Sequence, residues 1–529
     1  MKRNLISILV TLLIGFIIYY FALPAINIHS FGFWVYIILL LIIYTITLLC
    51  LSIDERGRII RSVKILIGSG ITVLAIILGI ILIDFIMSPM FHSKSYSKRI
   101  TINENEEFTK NVAPVDFNRI PLLDKDSSRK LGDRVMGQMP ELVSQFYVSD
   151  LYTQINYKDS IVRVTPLEYN GFFKYLSNKK DGVKGYITVN SVTGEANLVK
   201  LDNGMKYMPS AIFSKDLNRH LRFKYPTKIF GEKNFEIDNN GNPYWIIPTI
   251  KYTAIGLKKE IESVIIVDPI TGNSKEYKVG EVPSWVDHVY SANLIIEQVD
   301  DWGQYKDGFL NAIFGQKNVV QTTEGYNYMT MNDDVYLYTG ITSVSTDESN
   351  IGFILTNMRT KETNFYAVPG AEEYSAMDSA KGQVQQMNYE STFPLLINLN
   401  NRATYLLSLK DAAGLVKMYA FVDVADYQKV VITDSAKGIK AAADNYLNTV
   451  ELGSNNKDLI TKDIKVGYIN QVNIDGTSYF YITDTDNQKY YTSIKNDRKV
   501  LPFLKVGDVI EITYSDTKDI IEIINISLK

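Results

Sequence analysis

Three long apolar stretches open the chain, with short polar loops between them. They cover residues 5–21, 31–53 and 65–83. Each has roughly the 20 residues that a helix needs to cross the hydrocarbon core of a bilayer. A cleaved signal peptide is the alternative for the first stretch, but "FALPAIN" is a poor cleavage site and two more apolar stretches follow. The pattern therefore predicts a three-span transmembrane anchor over residues 1–88.

Basic residues around the spans predict their orientation. Six of them lie before the first span or after the second: Lys2, Arg3, Arg56, Arg58, Arg61 and Lys64. The loop at 24–30 carries no formal charge. Cytoplasmic loops are enriched in Lys and Arg, so we place the N-terminus in the cytoplasm and everything after the third span outside it. Lys94, Lys98 and Arg99 oppose this orientation, although long domains are translocated largely regardless of flanking charge.

Residues 89–160 are predicted to form a stalk and a helical segment. The stretch 93–111 is polar and shows no periodicity, which is typical of a stalk. Residues 127–146 then repeat apolar positions near the 3.6-residue period. Pro140 interrupts this pattern, so we expect two short helices or a kink there.

Internal repeats organise residues 161–434. The hexapeptide "IFGEKN" at 229–234 returns as "IFGQKN" at 313–318. The strings "YITVNSVTGEANLV" (186–199) and "VIIVDPITGNSKEY" (264–277) precede the two copies, and Gly194 and Gly272 suit hairpin turns. Ser210 and Ser284 follow at positions typical of helix N-caps. With a third version of the downstream strand at 398–412, we predict about three stacked repeats of β-hairpin, helix and β-hairpin.

The remaining residues predict a helix and a small barrel. Residues 435–459 are rich in Ala and Lys and are interpreted as a helical linker. Residues 460–529 contain five short strand-like runs, a pattern that favours a five-stranded β-barrel of the OB or SH3-like kind. The predicted fold class is therefore membrane-anchored α+β.

Composition and motifs exclude several kinds of chemistry. The 529 residues include 55 basic and 58 acidic ones, which gives no broad basic footprint for nucleic acid. The one cysteine, Cys50, lies in the second span, so the large domain lacks a thiol nucleophile. The histidines have no zinc-site spacing, and "DNNGN" at 238–242 departs from a calcium loop at Pro243. We predict no metal and no cofactor.

No catalytic residue is predicted either. Ser284, Asp287 and His288 are close in sequence, but a catalytic triad needs residues that converge from separate elements. We interpret this stretch as the capped start of a helix.

Aromatic and basic residues are concentrated in the first two repeats. The candidate binding residues are Arg222, Tyr225, Trp285 and Trp302. Arg and amphipathic aromatic residues are favoured at interfaces. The alternative is that the aromatic rings pack between repeats and the basic residues form a solvated face.

Longer strings carry a resemblance. They are "RHLRFKYPTKIFGEKNFEIDNNGNPYW" (219–245), "SNIGFILTNMRTKETNFYAVPGAEEYSAM" (349–377) and "LKDAAGLVKMYAFVDV" (409–424). Over about residues 121–431 the chain resembles a family of multi-span membrane proteins of Firmicutes that carry labels such as CvpA-like, cell-shape or Tat-signal protein. The units with a "VDPITG" turn are similar to PepSY-type modules, which occur outside bacterial membranes and restrain peptidases or bind partners. Neither resemblance supplies a catalytic residue.

These observations predict a non-enzymatic integral membrane protein of a Gram-positive bacterium, with an extracytoplasmic scaffold or binding region at the cell envelope. Its expected partners are the lipid bilayer and an envelope protein. One alternative, implied by the PepSY-like units, is a regulator or inhibitor of a membrane or wall peptidase. A second is a carboxylate-based cell-wall hydrolase. Nucleic acid is not expected, because the barrel strands carry tyrosines but few basic residues.

Overall fold

The computed structural model describes residues 2–51, 59–344, 346–454, 460–474, 477–494, 497, 500–514, 520–523 and 525–529. The chain divides into two compact units, Met1–Ala436 and Lys437–Lys529.

Three helices begin the first unit: α1 (Lys2–Ala22), α2 (Phe31–Cys50) and α3 (Ile59–Ile86). Each is long and apolar enough to cross a membrane. Most of their Leu, Ile and Phe side chains are exposed, as expected for helices solvated by lipid. The predicted three-span anchor is confirmed to this extent.

The chain after α3 belongs to the folded domain and is not a free stalk. It forms α4 (Pro89–Ser97), β1 (Ile102–Glu106) and α5 (Phe108–Asn111). Strand β1 pairs in parallel with residues 363–366, and Arg99 is buried against Glu297 and Asp301. The sequence prediction of a stalk was wrong because polar residues here find partners far along the chain.

Two short helices follow, as predicted from Pro140. They are α6 (Lys125–Gly137) and α7 (Pro140–Val143). Asp124 caps α6, since its Oδ1 accepts a hydrogen bond from the Ser127 N–H at 2.9 Å.

Four modules of one topology make up the rest of this unit. In each, a helical segment precedes two short strands that both pair with one long strand, and two further antiparallel strands complete a meander. In the first module, α6 and α7 precede β2 (Phe146–Val148), β3 (Thr153–Tyr157), β4 (Ser160–Tyr169), α8 (Phe172–Asn178), β5 (Val183–Asn190) and β6 (Ala196–Met205).

The next three modules repeat this order. The second contains α9 (Leu217–Lys224), β7 (Ile229–Phe230), β8 (Asn234–Ile237), β9 (Pro243–Lys251), β10 (Glu260–Val267) and β11 (Ser274–Lys278). The third contains α10 (Ala292–Tyr305), β12 (Val320–Thr322), β13 (Asn327–Met331), β14 (Asp334–Ser343), β15 (Thr346–Asn357), β16 (Thr363–Tyr366) and β17 (Gly370–Ala371). The fourth contains α11 (Glu373–Gln383), β18 (Glu390–Ser391), β19 (Leu395–Leu399), β20 (Arg402–Lys410), β21 (Val416–Asp423) and β22 (Val430–Asp434).

The repeats therefore differ from the sequence prediction in number and boundaries. Among the described residues there are four, and each begins with a helical segment. The two hexapeptides both follow the module's helix, but the first (229–234) includes β7 and the start of β8, whereas the second (313–318) begins in a helical turn and ends before β12. The predicted Thr-Gly hairpins are present, with Gly194 at φ 77° and Gly272 at φ 81°.

Consecutive modules share their cores. One buried cluster joins the first module to the second, another the second to the third, and another the third to the fourth. A sheet with one uncovered apolar face is stabilised by burying that face on its neighbour, so stacking follows from the alternation along each strand.

The second unit is a helix and a curled sheet. It comprises α12 (Ile439–Ser454), β23 (Ile460–Ile474), β24 (Thr477–Asp484), β25 (Lys489–Ser493), β26 (Val509–Tyr514), β27 (Ile520–Glu522) and β28 (Asn525–Leu528). Strand β23 pairs with β26 along its first half and with β24 along its second. Strands β27 and β28 lie at opposite edges of the sheet although only two residues separate them, so the sheet curls strongly. The described strands number six, because the predicted fifth run divides into two.

Candidate functional site

Arg222 joins the folded domain to the membrane helices. It lies on α9 and is 6% exposed. Its Nε donates to the Leu23 carbonyl at 3.0 Å, and its Nη1 donates to the Lys228 carbonyl at 2.6 Å. The guanidinium also covers the Phe230 ring at 4.4 Å. Arg222 therefore holds the loop after α1 and does not project from a surface.

Of the other three candidates from sequence, Tyr225 lies beside Arg222, whose Nη1 donates to its carbonyl at 3.3 Å, and the two tryptophans lie elsewhere. Tyr225 packs on the core between the first and second modules, and its hydroxyl lies 3.1 Å from Ser274 Oγ. Trp285 and Trp302 are half-buried against the core between the second and third modules. Trp285 packs on Tyr244 with ring centroids 5.0 Å apart. The four residues are thus divided between two regions.

Ser284, Asp287 and His288 do not form a triad or a helix start. Ser284 is exposed, and α10 begins later, where Ser291 Oγ accepts from the Leu294 N–H. Likewise, Ser210 Oγ accepts from the Tyr169 N–H, and Asp216 caps α9 instead.

The backbone N–H groups of Asp287 and His288 instead bind a buried carboxyl group of the second module. Glu236 accepts the N–H groups of Asp287 and His288 at 2.9 and 3.1 Å. Burial raises the pKa of Glu236 to about 7, and burial together with the charge of Glu236 raises the pKa of Asp287 well above its usual value. Burial lowers the pKa of His288 to about 4, so this imidazole is neutral at pH 7.

A cavity of about 390 Å³ lies where all four modules meet. Each module contributes to its wall, together with the segment 121–125 that precedes α6. The principal residues are Tyr152, Gln154 and Arg163 from the first module, Asn234 and His288 from the second, Tyr328 from the third, and Phe393 and Ser408 from the fourth. The wall is mixed, with aromatic rings beside polar side chains.

Arg163 is a buried cation without a paired anion. It is 6% exposed, and its Nη2 donates to the Leu123 carbonyl at 3.4 Å. Its Nε has no hydrogen-bond partner, and no ion pair reaches it among the described residues. The negative charge of Asp124 favours the charged form of Arg163, but Asp124 is itself ion-paired with Lys410. Burial lowers the pKa of Arg163 to about 10, so the side chain keeps its charge at pH 7.

Gln154 lies directly across from Arg163. The two residues are paired in the β3–β4 hairpin, so their side chains share one face. Gln154 is 2% exposed, and neither its amide oxygen nor its amide nitrogen has a partner. The Tyr152 hydroxyl is also buried without one. Buried polar groups are nearly always hydrogen-bonded, so the polar atoms of these side chains are unusual for the interior of a protein.

The local sequence explains how these groups meet. Lys158 and Asp159 form the β3–β4 turn at φ 51° and 61°, which places Gln154 opposite Arg163. Arg163 stands in "SIVRVTPLEY", a strand that is buried almost throughout. Sequence reasoning missed it, although a single Arg inside an apolar strand was a signal.

No protein-family model and no curated protein matches the chain. Within the described part, no group of His, Cys, Asp and Glu is arranged to hold a metal ion. The charged residues that line the cavity are Arg163, Asp124 and Lys125, beside neutral hydrogen-bonding groups and aromatic rings.

Proposed function

We propose that this protein is a membrane-anchored, non-enzymatic binding protein that holds an anionic ligand in the cavity between its four modules. The observation that carries the proposal is the unpaired guanidinium of Arg163. An uncompensated buried charge costs several kcal/mol of stability. Such a cost is typical of functional sites, where a ligand supplies the missing partner.

A carboxylate is the ligand group that fits this wall best. Arg binds carboxylates through two parallel N–H groups, and Gln154 lies beside Arg163 on the same face of the hairpin. Tyr328 and Phe393 offer aromatic surface for an apolar body. A volume of about 390 Å³ suits a small molecule or the end of a peptide.

The proposed location is the outer face of the membrane. Contacts place the four-module unit at the end of the helices that carries loop 23–30: the Ile26 N–H donates to the Pro226 carbonyl, and the Ile255 N–H donates to Asp84. The C-terminus of α2 and the N-terminus of α3 lie at the other end. The sequence between them is basic, and positive-inside reasoning assigns that end to the cytoplasm.

Thiol labelling tests this orientation. In a Cys50→Ala background, a cysteine introduced at Ser30 is expected to react with an impermeant reagent in intact cells, whereas one introduced at Gly57 reacts only after lysis. Labelling of the Gly57 position alone in intact cells would place the large domain in the cytoplasm.

Substitution of Arg163 tests the binding proposal. The purified full chain is titrated with acetylated dipeptides that end in a free carboxylate, and with their amides. The carboxylates, but not the amides, are expected to raise the melting temperature. Arg163→Met should abolish this response, yet by itself should melt no lower than the native protein, because it removes a buried charge that has no ion-pair partner.

Arg129→Met is the matched control. Arg129 is half-exposed and makes one surface ion pair with Asp150 at 3.5 Å. Its loss should leave the carboxylate response unchanged. The proposal would be contradicted if the native protein responded equally to the amides and to the carboxylates. It would also be contradicted if Arg163→Met lost much of its stability.

A further inference from the structure

A second cationic site lies at the junction of the folded domain with the membrane helices. It is an open groove of about 1050 Å³ between α4 and the loop that joins β9 to β10. We call it the junction groove. Its basic residues are Lys94, Lys98, Arg99, Lys251, Lys258 and Lys361.

The two carboxylates that line the junction groove are each ion-paired, and Arg99 is shared with Glu297 and Asp301 outside the groove. Glu260 is ion-paired with Lys361 at 3.2 Å and with Arg99 at 3.6 Å. Glu262 is paired with Lys228 at 3.1 Å. In the described part of the chain, no carboxylate lies within ion-pair distance of Lys94, Lys98 or Lys251. These three lysines therefore leave the groove with a positive charge.

The groove borders the C-terminal end of α3. The Ile255 N–H donates to Asp84 Oδ1 at 3.0 Å, and His29 Nδ1 lies 3.0 Å from the Ala254 carbonyl oxygen. Phe91, at the mouth of the groove, packs edge to face on Phe85 of α3 at 5.3 Å. A ligand in the groove would thus have lysines on one side and the exposed apolar surface of a membrane span on the other.

We propose that the junction groove binds the phosphate headgroup of an anionic phospholipid from the leaflet that it borders. Lys94, Lys98 and Lys251 hold the phosphate, while Phe85 and Phe91 lie along the acyl chains. Cationic clusters beside a membrane attract anionic lipids, and each Lys or Arg near the surface adds to that attraction. The proposal also accounts for Lys94 and Lys98, whose charge opposes the positive-inside rule. It does not depend on a ligand in the Arg163 cavity.

The test uses the full chain in a nonionic detergent and three probes. These are short-chain phosphatidylglycerol, phosphatidylcholine with the same chains, and glycerol 3-phosphate. Phosphatidylglycerol is expected to raise the melting temperature in a saturable manner, and the other two are not. The variant Lys94→Gln/Lys98→Gln/Lys251→Gln should need at least roughly tenfold more phosphatidylglycerol to reach half of the maximal rise in melting temperature.

Two further variants separate the possible outcomes. Lys179→Gln/Lys180→Gln/Lys200→Gln removes the same charge from exposed positions of the first module and should respond like the native protein. Arg163→Met should also respond normally, which distinguishes this site from the cavity. If the triple variant melts lower without lipid, Lys251→Gln alone serves as the test.

An equal response to the two lipids, or an undiminished response in the triple variant, would overturn the proposal. So would an equal shift with glycerol 3-phosphate, since that would show a site for soluble phosphate rather than lipid.

Discussion

Replacing Trp245 by alanine is expected to lower the unfolding free energy of the four-module unit by about 3 to 5 kcal/mol. Trp245 is fully buried in the core that joins the first two modules. Its indole N–H donates to the Tyr207 carbonyl at 3.0 Å, and its ring packs on Phe235 at 5.2 Å. The substitution leaves a cavity and an unpaired carbonyl. Unfolding of the purified chain in one detergent, with and without the substitution, measures the loss.

Trp285→Ala provides the comparison. Trp285 is half-buried at the edge of its cluster, so its loss should cost about 1 kcal/mol. If the two tryptophan substitutions destabilise the unit equally, Trp285 is a core residue and its predicted role as a binding anchor is wrong. A small loss keeps that prediction open to a direct binding measurement.

Replacing Glu236 by glutamine is expected to change the dependence of stability on pH. The pKa of Glu236 in the folded chain is about 7, above its ordinary value of 4.5. A raised carboxyl pKa means that folding favours the protonated form. The native protein is therefore expected to lose on the order of 3 kcal/mol as the pH rises from about 4.5 to about 7. Glutamine stays neutral, so the variant lacks this loss.

Other titratable groups around Glu236 also change the stability of the protein with pH, some lowering it and some raising it as the pH rises. Asp287 also has a raised pKa, so it loses stability in the same direction as Glu236. The charge of Asp334 raises the Asp287 pKa further, and that of Arg359 lowers it. His288 has a lowered pKa, and its contribution to stability grows as the pH rises from about 4 to 6.5. Because both proteins contain His288, its contribution cancels in the difference between them.

The measurement is the difference in melting temperature between Glu236→Gln and the native chain from pH 5 to pH 8. This difference should move in favour of the variant as the pH rises, on top of a constant loss from the hydrogen bonds that glutamine cannot accept. Glu281→Gln, at an exposed position, should show a flat difference. A flat difference for Glu236→Gln as well would mean that Glu236 is ionised throughout.

The sequence predicted those elements that depend only on residues close together along the chain. Hydropathy alone specified the three spans, and turn glycines specified the hairpins of the first and second modules. The first module was only partly recognised because Lys158 stands at a turn position with positive φ, where the third and fourth modules have Asn332 and Asn400. Asn and Gly are typical of turn positions with positive φ, whereas Lys is not.

The cavity could not be predicted for a different reason. Clusters of Trp and Arg in sequence show where such residues are frequent, but not which of them face the interior. Arg222 donates to several backbone carbonyls at the membrane junction, while Arg163 makes one long hydrogen bond to the Leu123 carbonyl and its Nε has no partner. The difference arises from residues 121–125 and from the fourth module, which are distant in sequence from both arginines.

The parallel pairing of β1 with β16 has a consequence for the order in which the protein assembles. Strand β1 follows the third span and α4, yet its partner is made roughly 260 residues later, so a long loop must close before the two can meet. During synthesis the first two modules can stack while they are still joined to the membrane by an unpaired segment. Completion of the third module pairs that segment, and this pairing adds to the contacts that the second module already makes with loop 23–30 and with Asp84.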